Sequence, residues 1–126
     1  MMTSQPLRIG LFYYTGTGST GFLADHIRTA LQPLDCIVTL HRITAHSSMP
    51  WEDYDVIGIG SPVWIWRAPK VLTRRLKTAS KFSHKPYFTF LTCGGSPGNG
   101  AWSIYKSLHP RHNYYLGTVV GNGPNN

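Results

Sequence analysis

Short apolar runs alternate with amphipathic segments along this chain, and the alternation predicts an architecture. Residues 8–14 (RIGLFYY) form an apolar run rich in strand formers that stops at a cluster of threonine and glycine. Over residues 21–31, Phe22, Leu23, Ile27, Ala30 and Leu31 recur at the spacing of one helical face. Residues 36–43 (CIVTLHRI) predict a second strand, and the polar stretch after it, through Ser47 and Pro50, predicts no regular element. Residues 55–60 (DVIGIG) predict a third strand, apolar enough to be buried on both faces. A helix follows over 68–80, with Pro69 in its first turn and Val71, Leu72 and Leu76 on its apolar side. A strand over 87–92 (YFTFLT), a helix over 99–108 with Trp102, Ile104, Tyr105 and Leu108, and a strand over 114–120 (YYLGTVV) complete the order.

This order predicts one α/β domain over residues 1–126, an open and mostly parallel sheet with helices on both faces. Such sheets take ligands in the crevice at the carboxyl ends of their strands, where the strand order reverses. The loops after the first, third and fourth strands are therefore the informative ones.

The first of these is Thr15-Gly16-Thr17-Gly18-Ser19-Thr20, which leads into the first helix. A helix N-terminus presents unpaired N–H groups and the positive end of the helix dipole, which suits a phosphate. Glycines allow close backbone approach, and four hydroxyls exceed what one helix cap requires. The loop contains no Lys or Arg, so a phosphate here depends on neutral donors and the dipole. A Walker A loop is excluded because no lysine precedes the Ser/Thr. Gly16, Gly18 and Gly21 fit the dinucleotide fingerprint, but that motif expects an acidic residue about 20 positions on. His41 and Arg42 stand there instead, and Arg42 could at best suit a 2′-phosphate.

The second loop, Gly60-Ser61-Pro62-Val63-Trp64-Ile65-Trp66, places two tryptophans directly after a buried strand. Trp64 is the better placed to stack on a flat ring, whereas Trp66 is expected as readily to fold back on the core. The third loop, Thr92-Cys93-Gly94-Gly95-Ser96-Pro97-Gly98-Asn99-Gly100, is rich in small residues that permit close backbone approach to a planar ligand.

Together these segments resemble the flavodoxin-like family over nearly the whole chain. Thr15-x-Thr17-Gly18-x-Thr20 is similar to the family's phosphate loop. Ser61, Pro62, Val63 and Trp64 resemble the loop that lies beside the isoalloxazine. Thr92, Cys93, Gly94, Gly95 and Gly98 resemble the corresponding loop in the flavodoxin half of flavodoxin–ferredoxin fusion proteins. The resemblance implies an FMN-binding, electron-transferring protein with strand order 2-1-3-4-5. It also implies an FMN contact set of Thr15, Gly16, Thr17, Gly18, Ser19, Thr20, Ser61, Pro62, Val63, Trp64, Thr92, Cys93, Gly94, Gly95 and Gly98. Two other functions remain open: an FMN-dependent reductase passing hydride from a nicotinamide to a quinone-type acceptor, and a non-redox nucleotide or nucleic-acid binding module.

The chain departs from the family in three ways. It is basic where flavodoxins are acidic. Its third loop has no aromatic residue before Trp102, and no helix follows the fifth strand. The last departure leads to the expectation that the chain is a piece of a longer one, or that a partner or second copy covers the sheet face left open.

Composition narrows the picture further. Hydrophobic residues are 41% and charged residues 13% of the 126, which excludes disordered and fibrous classes. No apolar run approaches the roughly 20 residues that span a bilayer, and residues 1–6 lack the apolar core of a secretory signal. A cytoplasmic location is expected. Twelve Lys+Arg against five Asp+Glu give a net charge of +7, which favours a redox partner with an acidic surface. Arg67, Lys70, Arg74, Arg75, Lys77, Lys81 and Lys85 gather around one predicted helix without a dense run, and read as a solvated face rather than a nucleic-acid site. None of the acids Asp25, Asp35, Glu52, Asp53 and Asp55 falls in the three loops, so a bound flavin should be less strongly reducing than in acidic flavodoxins. Cys36 and Cys93 fit neither a redox pair nor a metal knuckle and read as buried structural thiols. His26, His41, His46, His84, His109 and His112 show no metal-ligand spacing, and no side chain is a convincing nucleophile or general base.

Overall fold

Five strands, β1 (Leu7–Tyr13), β2 (Cys36–Arg42), β3 (Val56–Pro62), β4 (Pro86–Cys93) and β5 (Tyr114–Asn122), pair in parallel in the order β2-β1-β3-β4-β5. The computed structural model describes residues 5–15, 18–64, 66–79, 82–94, 96–108 and 113–122. The helices among them are α1 (Ser19–Leu31), α2 (Lys70–Thr78) and α3 (Gly100–Leu108). Every predicted element is present, with ends shifted by at most two residues. Pro69 is the N-cap of α2 rather than part of its first turn, with φ −58° and ψ 143°. Its extended ψ halts the helix there, since the following residues alone adopt helical geometry.

Alternation along the strands divides the core into two layers. Ile9 and Leu11 of β1 and Phe90 of β4 pack with Ala24 of α1 on one face. Phe12 of β1, Ile57 and Ile59 of β3, and Tyr87 and Leu91 of β4 meet Leu72 and Leu76 of α2 and Ile104 and Leu108 of α3 on the other. Consecutive strand residues point to opposite faces, so apolar residues on both parities require helices on both sides. Gly60 is the cross-strand partner of Phe90, and a Cβ there would lie 2.0 Å from the Phe90 ring. The ring thus lies directly on the β3 backbone, which only glycine permits.

No helix covers the β2–β3 connection. The turn predicted as irregular contains one 3-10 turn, Trp51–Asp53, and its buried Trp51 does the covering. The Trp51 ring packs on Phe12 (centroids 4.3 Å apart) and on Phe82 (5.3 Å). The Lys85 ammonium donates to the Trp51 carbonyl at 2.9 Å and to the Tyr54 carbonyl, tying this turn to the start of β4. His41 completes the cluster: its ring stacks on Phe12 at 4.6 Å and 8°, and Nε2 pairs with the Tyr54 hydroxyl. His41 is thus a ring inside an aromatic stack. His109 and His112 lie outside the described residues.

Burial lowers the His41 pKa from its ordinary 6.5, outweighing the opposite pull of Asp53. The folded state therefore disfavours the charged ring, and the unfolded chain takes up the proton first as pH falls. This contribution to stability is complete above about pH 6.5 and is lost as pH drops below it toward the lowered folded value. Denaturant titrations across this range should show stability falling on the acid side, and His41→Gln should flatten that fall. Parallel pH profiles for the two proteins would assign the acid sensitivity to another group.

Candidate functional site

The chain leaves β1 still bound to its neighbours. Tyr14 N donates to Gly60 O at 3.0 Å, and Ile43 N donates to Tyr13 O at 2.6 Å. The Thr15 hydroxyl then accepts from Gly18 N at 2.8 Å, closing the loop on itself. Gly16 and Thr17 lie outside the described residues. Gly18 is the N-cap of α1 in a left-handed conformation (φ 100°), which suits glycine. Among the described residues no side-chain hydrogen bond caps this 13-residue helix, and its first turn carries no acid. Its dipole therefore meets no built-in negative charge at this end. Ser19 and Thr20 are buried. The Thr20 hydroxyl shares a 2.9 Å hydrogen bond with the Thr92 hydroxyl at the end of β4, linking the first loop to the third across the sheet.

The second loop is held at both ends. Ser61 is buried, and its hydroxyl donates to Pro62 O at 2.6 Å. Val63 N donates to Thr92 O at 3.0 Å. Trp64 N donates to Arg67 O at 2.8 Å and Arg67 N to Trp64 O at 3.2 Å, so residues 64–67 form a tight turn. Trp66 takes φ 68° in this turn, a left-handed conformation that costs a bulky residue about 1–2 kcal/mol. Asn99 N donates to Trp66 O at 2.6 Å. Gly98 (φ 52°) packs so closely that a Cβ would stand 2.7 Å from the Trp66 ring and 2.9 Å from its Cα. The second and third loops are thus clamped together through Trp66.

Trp66 does not fold back on the core: it is 63% exposed. The closing turn and the Gly98 contact direct it toward α3 instead. Trp64 is 46% exposed, and its ring meets the Tyr14 ring edge-on at 5.9 Å. It therefore stands beside the first loop with a large apolar surface in solvent. In the third loop Thr92 and Cys93 are the buried last residues of β4, Gly94 is exposed, and Gly95 lies outside the described residues. Gly98 N donates to Ser96 Oγ at 3.1 Å.

The predicted residues that are described thus converge at the carboxyl ends of β1, β3 and β4. Sequence reasoning missed Tyr14 and Asn99 and left the direction of Trp66 open. The signal for Tyr14 was present, an aromatic residue between a strand and its loop. The Trp66–Asn99 contact had no local signal, because it joins residues 33 positions apart through backbone atoms (99 − 66).

Charge is distributed unevenly. Asp35, Glu52, Asp53 and Asp55 precede β2 and β3 and so lie at the amino edge of the sheet; Asp55 accepts from Arg8 N at 2.9 Å there. Asp25 pairs with Arg28 on α1. No acid stands among the loops of the carboxyl edge. Cys93 is buried, while Cys36 is only half-buried, with Sγ donating to Leu31 O at 3.1 Å. Among the described residues no group of three His, Cys, Asp or Glu could hold a metal ion, and no helix is long and apolar enough to cross a membrane.

The family model described as flavodoxin matches residues 38–125. Flavodoxin 2 of Escherichia coli K12 is 38% identical over 58 residues, 46% of this chain. The match spans 32% of that protein, about a third of its length. Oxidised flavodoxin 2 from Bacillus cereus superposes with a TM-score of 0.78 over 92% of this chain and 84% of that one, at 18% identity. A Fusobacterium nucleatum flavodoxin variant bound to flavin mononucleotide superposes with a TM-score of 0.70 over 86% of this chain and 67% of that one, also at 18% identity. These likenesses extend the same fold across regions where little sequence is shared.

The clamp is testable in isolation. Gly98→Ala places a methyl against backbone and ring and forces alanine into left-handed geometry, so it should lower stability by about 1–3 kcal/mol. Denaturant unfolding measures the loss. Loss of the indole chemical-shift dispersion of Trp66 in NMR spectra should accompany it. An unchanged midpoint would mean that the two loops are not clamped there.

Proposed function

Because the chain belongs to the flavodoxin family, we propose that it is an electron-transfer protein that seats FMN across the three loops at the carboxyl ends of β1, β3 and β4. The observation that carries this reading is the joining of those loops by the Thr20–Thr92 hydroxyl pair and the Trp66–Gly98 clamp. Segments distant in sequence are thereby held as one binding edge.

The donors fit the group. Thr15, Gly16, Thr17, Gly18, Ser19 and Thr20 would hold the phosphate, through backbone N–H groups and hydroxyls. The uncapped N-terminus of α1 supplies the positive field that an absent Lys or Arg would otherwise provide. Ser61, Pro62, Val63 and Trp64 would line the flat ring system, with the exposed face of Trp64 as the stacking surface. Thr92, Cys93, Gly94, Gly95 and Gly98 would approach the ring's polar edge through backbone groups. Bound FMN supplies reversible single-electron uptake and release. The protein's part is to position the ring, to exclude water from one face of it, and to set the surrounding charge.

The partner that suits a chain of net charge +7 is a redox protein with an acidic surface, and a cytoplasmic setting accords with such a carrier. The Fusobacterium protein's bound flavin mononucleotide supports the cofactor.

FMN titrated into the flavin-free protein should lose its fluorescence on binding, and the visible spectrum should gain the vibronic shoulder of a buried ring. Trp64→Ala removes a stacking contact worth about 1–3 kcal/mol and should weaken binding about tenfold to a hundredfold. A protein that stays colourless and leaves FMN fluorescence unquenched would overturn the reading. Electron transfer to an acidic partner should slow steadily as salt rises, as stopped-flow traces at increasing ionic strength would record; a rate that rises with salt would exclude an acidic partner.

A further inference from the structure

On the helical side of the second loop, α2 and α3 pack against each other and leave a groove between them. A cavity of about 120 Å³ in it is lined by Arg67, Lys70, Thr73, Lys77, Ser103 and Lys106 among others. It opens beside a wider space of about 480 Å³ lined by Trp66, Arg67, Asn99, Trp102, Ser103 and Lys106. Arg67, Ser103 and Lys106 border both, so the two are continuous.

The chemistry of this groove is one-sided. Four cationic side chains converge on the narrow part, and neither residues 66–79 nor residues 96–108 contain an Asp or Glu. Like charges gathered this way repel unless an anion stands among them. The hydroxyls do not compete for that role: Thr73 donates to Lys70 O at 3.3 Å and Ser103 to Asn99 O at 2.8 Å, so recognition of an anion falls on the cations. The wide part has the opposite character. Trp66 is 63% and Trp102 55% exposed, and the Trp102 ring stacks on Tyr105 at 5.4 Å and 17°. Two large flat apolar surfaces bordering one space favour a planar ligand ring. The cations also favour an aromatic ring held between them and the indoles.

We propose that the α2–α3 groove is a second binding site, for a mononucleotide-sized ligand whose phosphate lies among Arg67, Lys70, Lys77 and Lys106 and whose planar base lies against Trp66 and Trp102. The groove adjoins the flavin edge, since Arg67 and Lys70 also line a space of about 320 Å³ bordered by Trp64, but the proposal does not depend on the flavin reading. The two indoles face different ways, Trp64 toward Tyr14 and Trp66 toward Gly98. An extended nucleic acid fits less well, because the cations converge on a cavity the size of a single phosphate group.

ADP serves as the probe, titrated into the full chain in the presence of saturating FMN so that any flavin site is filled. The indole N–H signals of Trp66 and Trp102, assigned with Trp66→Phe and Trp102→Phe, should shift saturably, and inorganic phosphate should compete. The double variant Lys70→Glu/Lys106→Glu should weaken ADP binding at least about tenfold, a larger loss than any in FMN affinity, without lowering the melting temperature. That retention separates loss of the groove from loss of the fold. If the protein takes up no FMN, the same titration without FMN tests the groove alone, and the flavin reading fails separately. Absence of indole shifts at millimolar ADP, binding unaltered by the charge reversal, or binding of a single-stranded oligonucleotide without binding of ADP would each overturn the proposal.

Discussion

The contact between Phe90 and Gly60 sets the geometry on which the binding edge depends. Because Gly60 has no side chain, the Phe90 ring lies across its own cross-strand partner and packs with Ile9, Leu11 and Ala24 beneath α1. Strands β3 and β4 are thereby locked side by side just before both end. The Gly60 carbonyl holds the chain leaving β1, through Tyr14 N. Two residues past Phe90, Thr92 binds the first loop through its hydroxyl and the second through its carbonyl. A core packing choice on one face of the sheet thus determines how three loops meet at its end. This is how a parallel sheet supports a site: apolar burial fixes the strands, and the strand ends carry polar groups that need not contribute to the core.

Beyond that edge, structure is fixed by local strain rather than burial. Trp66 sits in left-handed geometry that a bulky residue avoids, and it does so without burying its ring. The Asn99 hydrogen bond and the close contact with Gly98 offset the strain. The result is a four-residue turn that sends one tryptophan toward the first loop and the other toward α3. Strained residues of this kind concentrate where a fold positions function. Here the strain separates two aromatic surfaces that would otherwise collapse together.

Period and punctuation made most of this fold readable. The apolar runs of β1, β3 and β4 and the helical spacing of Leu72, Leu76, Ile104 and Leu108 announced their elements because each buries a full face. The parallel order followed from alternation of strands and helices. The glycine and hydroxyl loops marked where the strands end. What stayed hidden depends on contacts with no local period. The 3-10 turn at Trp51 was invisible because one tryptophan, rather than a repeated stripe, covers that part of the sheet. The His41–Phe12–Tyr54 stack joins three segments whose pairing is set by the register of β1 with β2. The direction of Trp66 stayed open because the apolar character of an indole argues for the core, whereas a backbone hydrogen bond from a distant loop decides it.

Charge follows the same axis as the strands. The acids that precede β2 and β3 lie at the amino edge, and Asp25 is neutralised locally by Arg28. The carboxyl edge holds no acid, and the N-terminus of α1 adds its positive end there. The cations of α2 and α3 extend that positive field around the helical side, where Arg75 binds the Ser47 carbonyl instead of lining the groove. An anion approaching this protein therefore meets attraction from the loops and from the helix groove together. A first loop without a single Lys or Arg is consistent with that arrangement. Its positive field comes from backbone dipoles and from distributed side chains, which leaves the loop itself free to be small, close-fitting and hydroxylated.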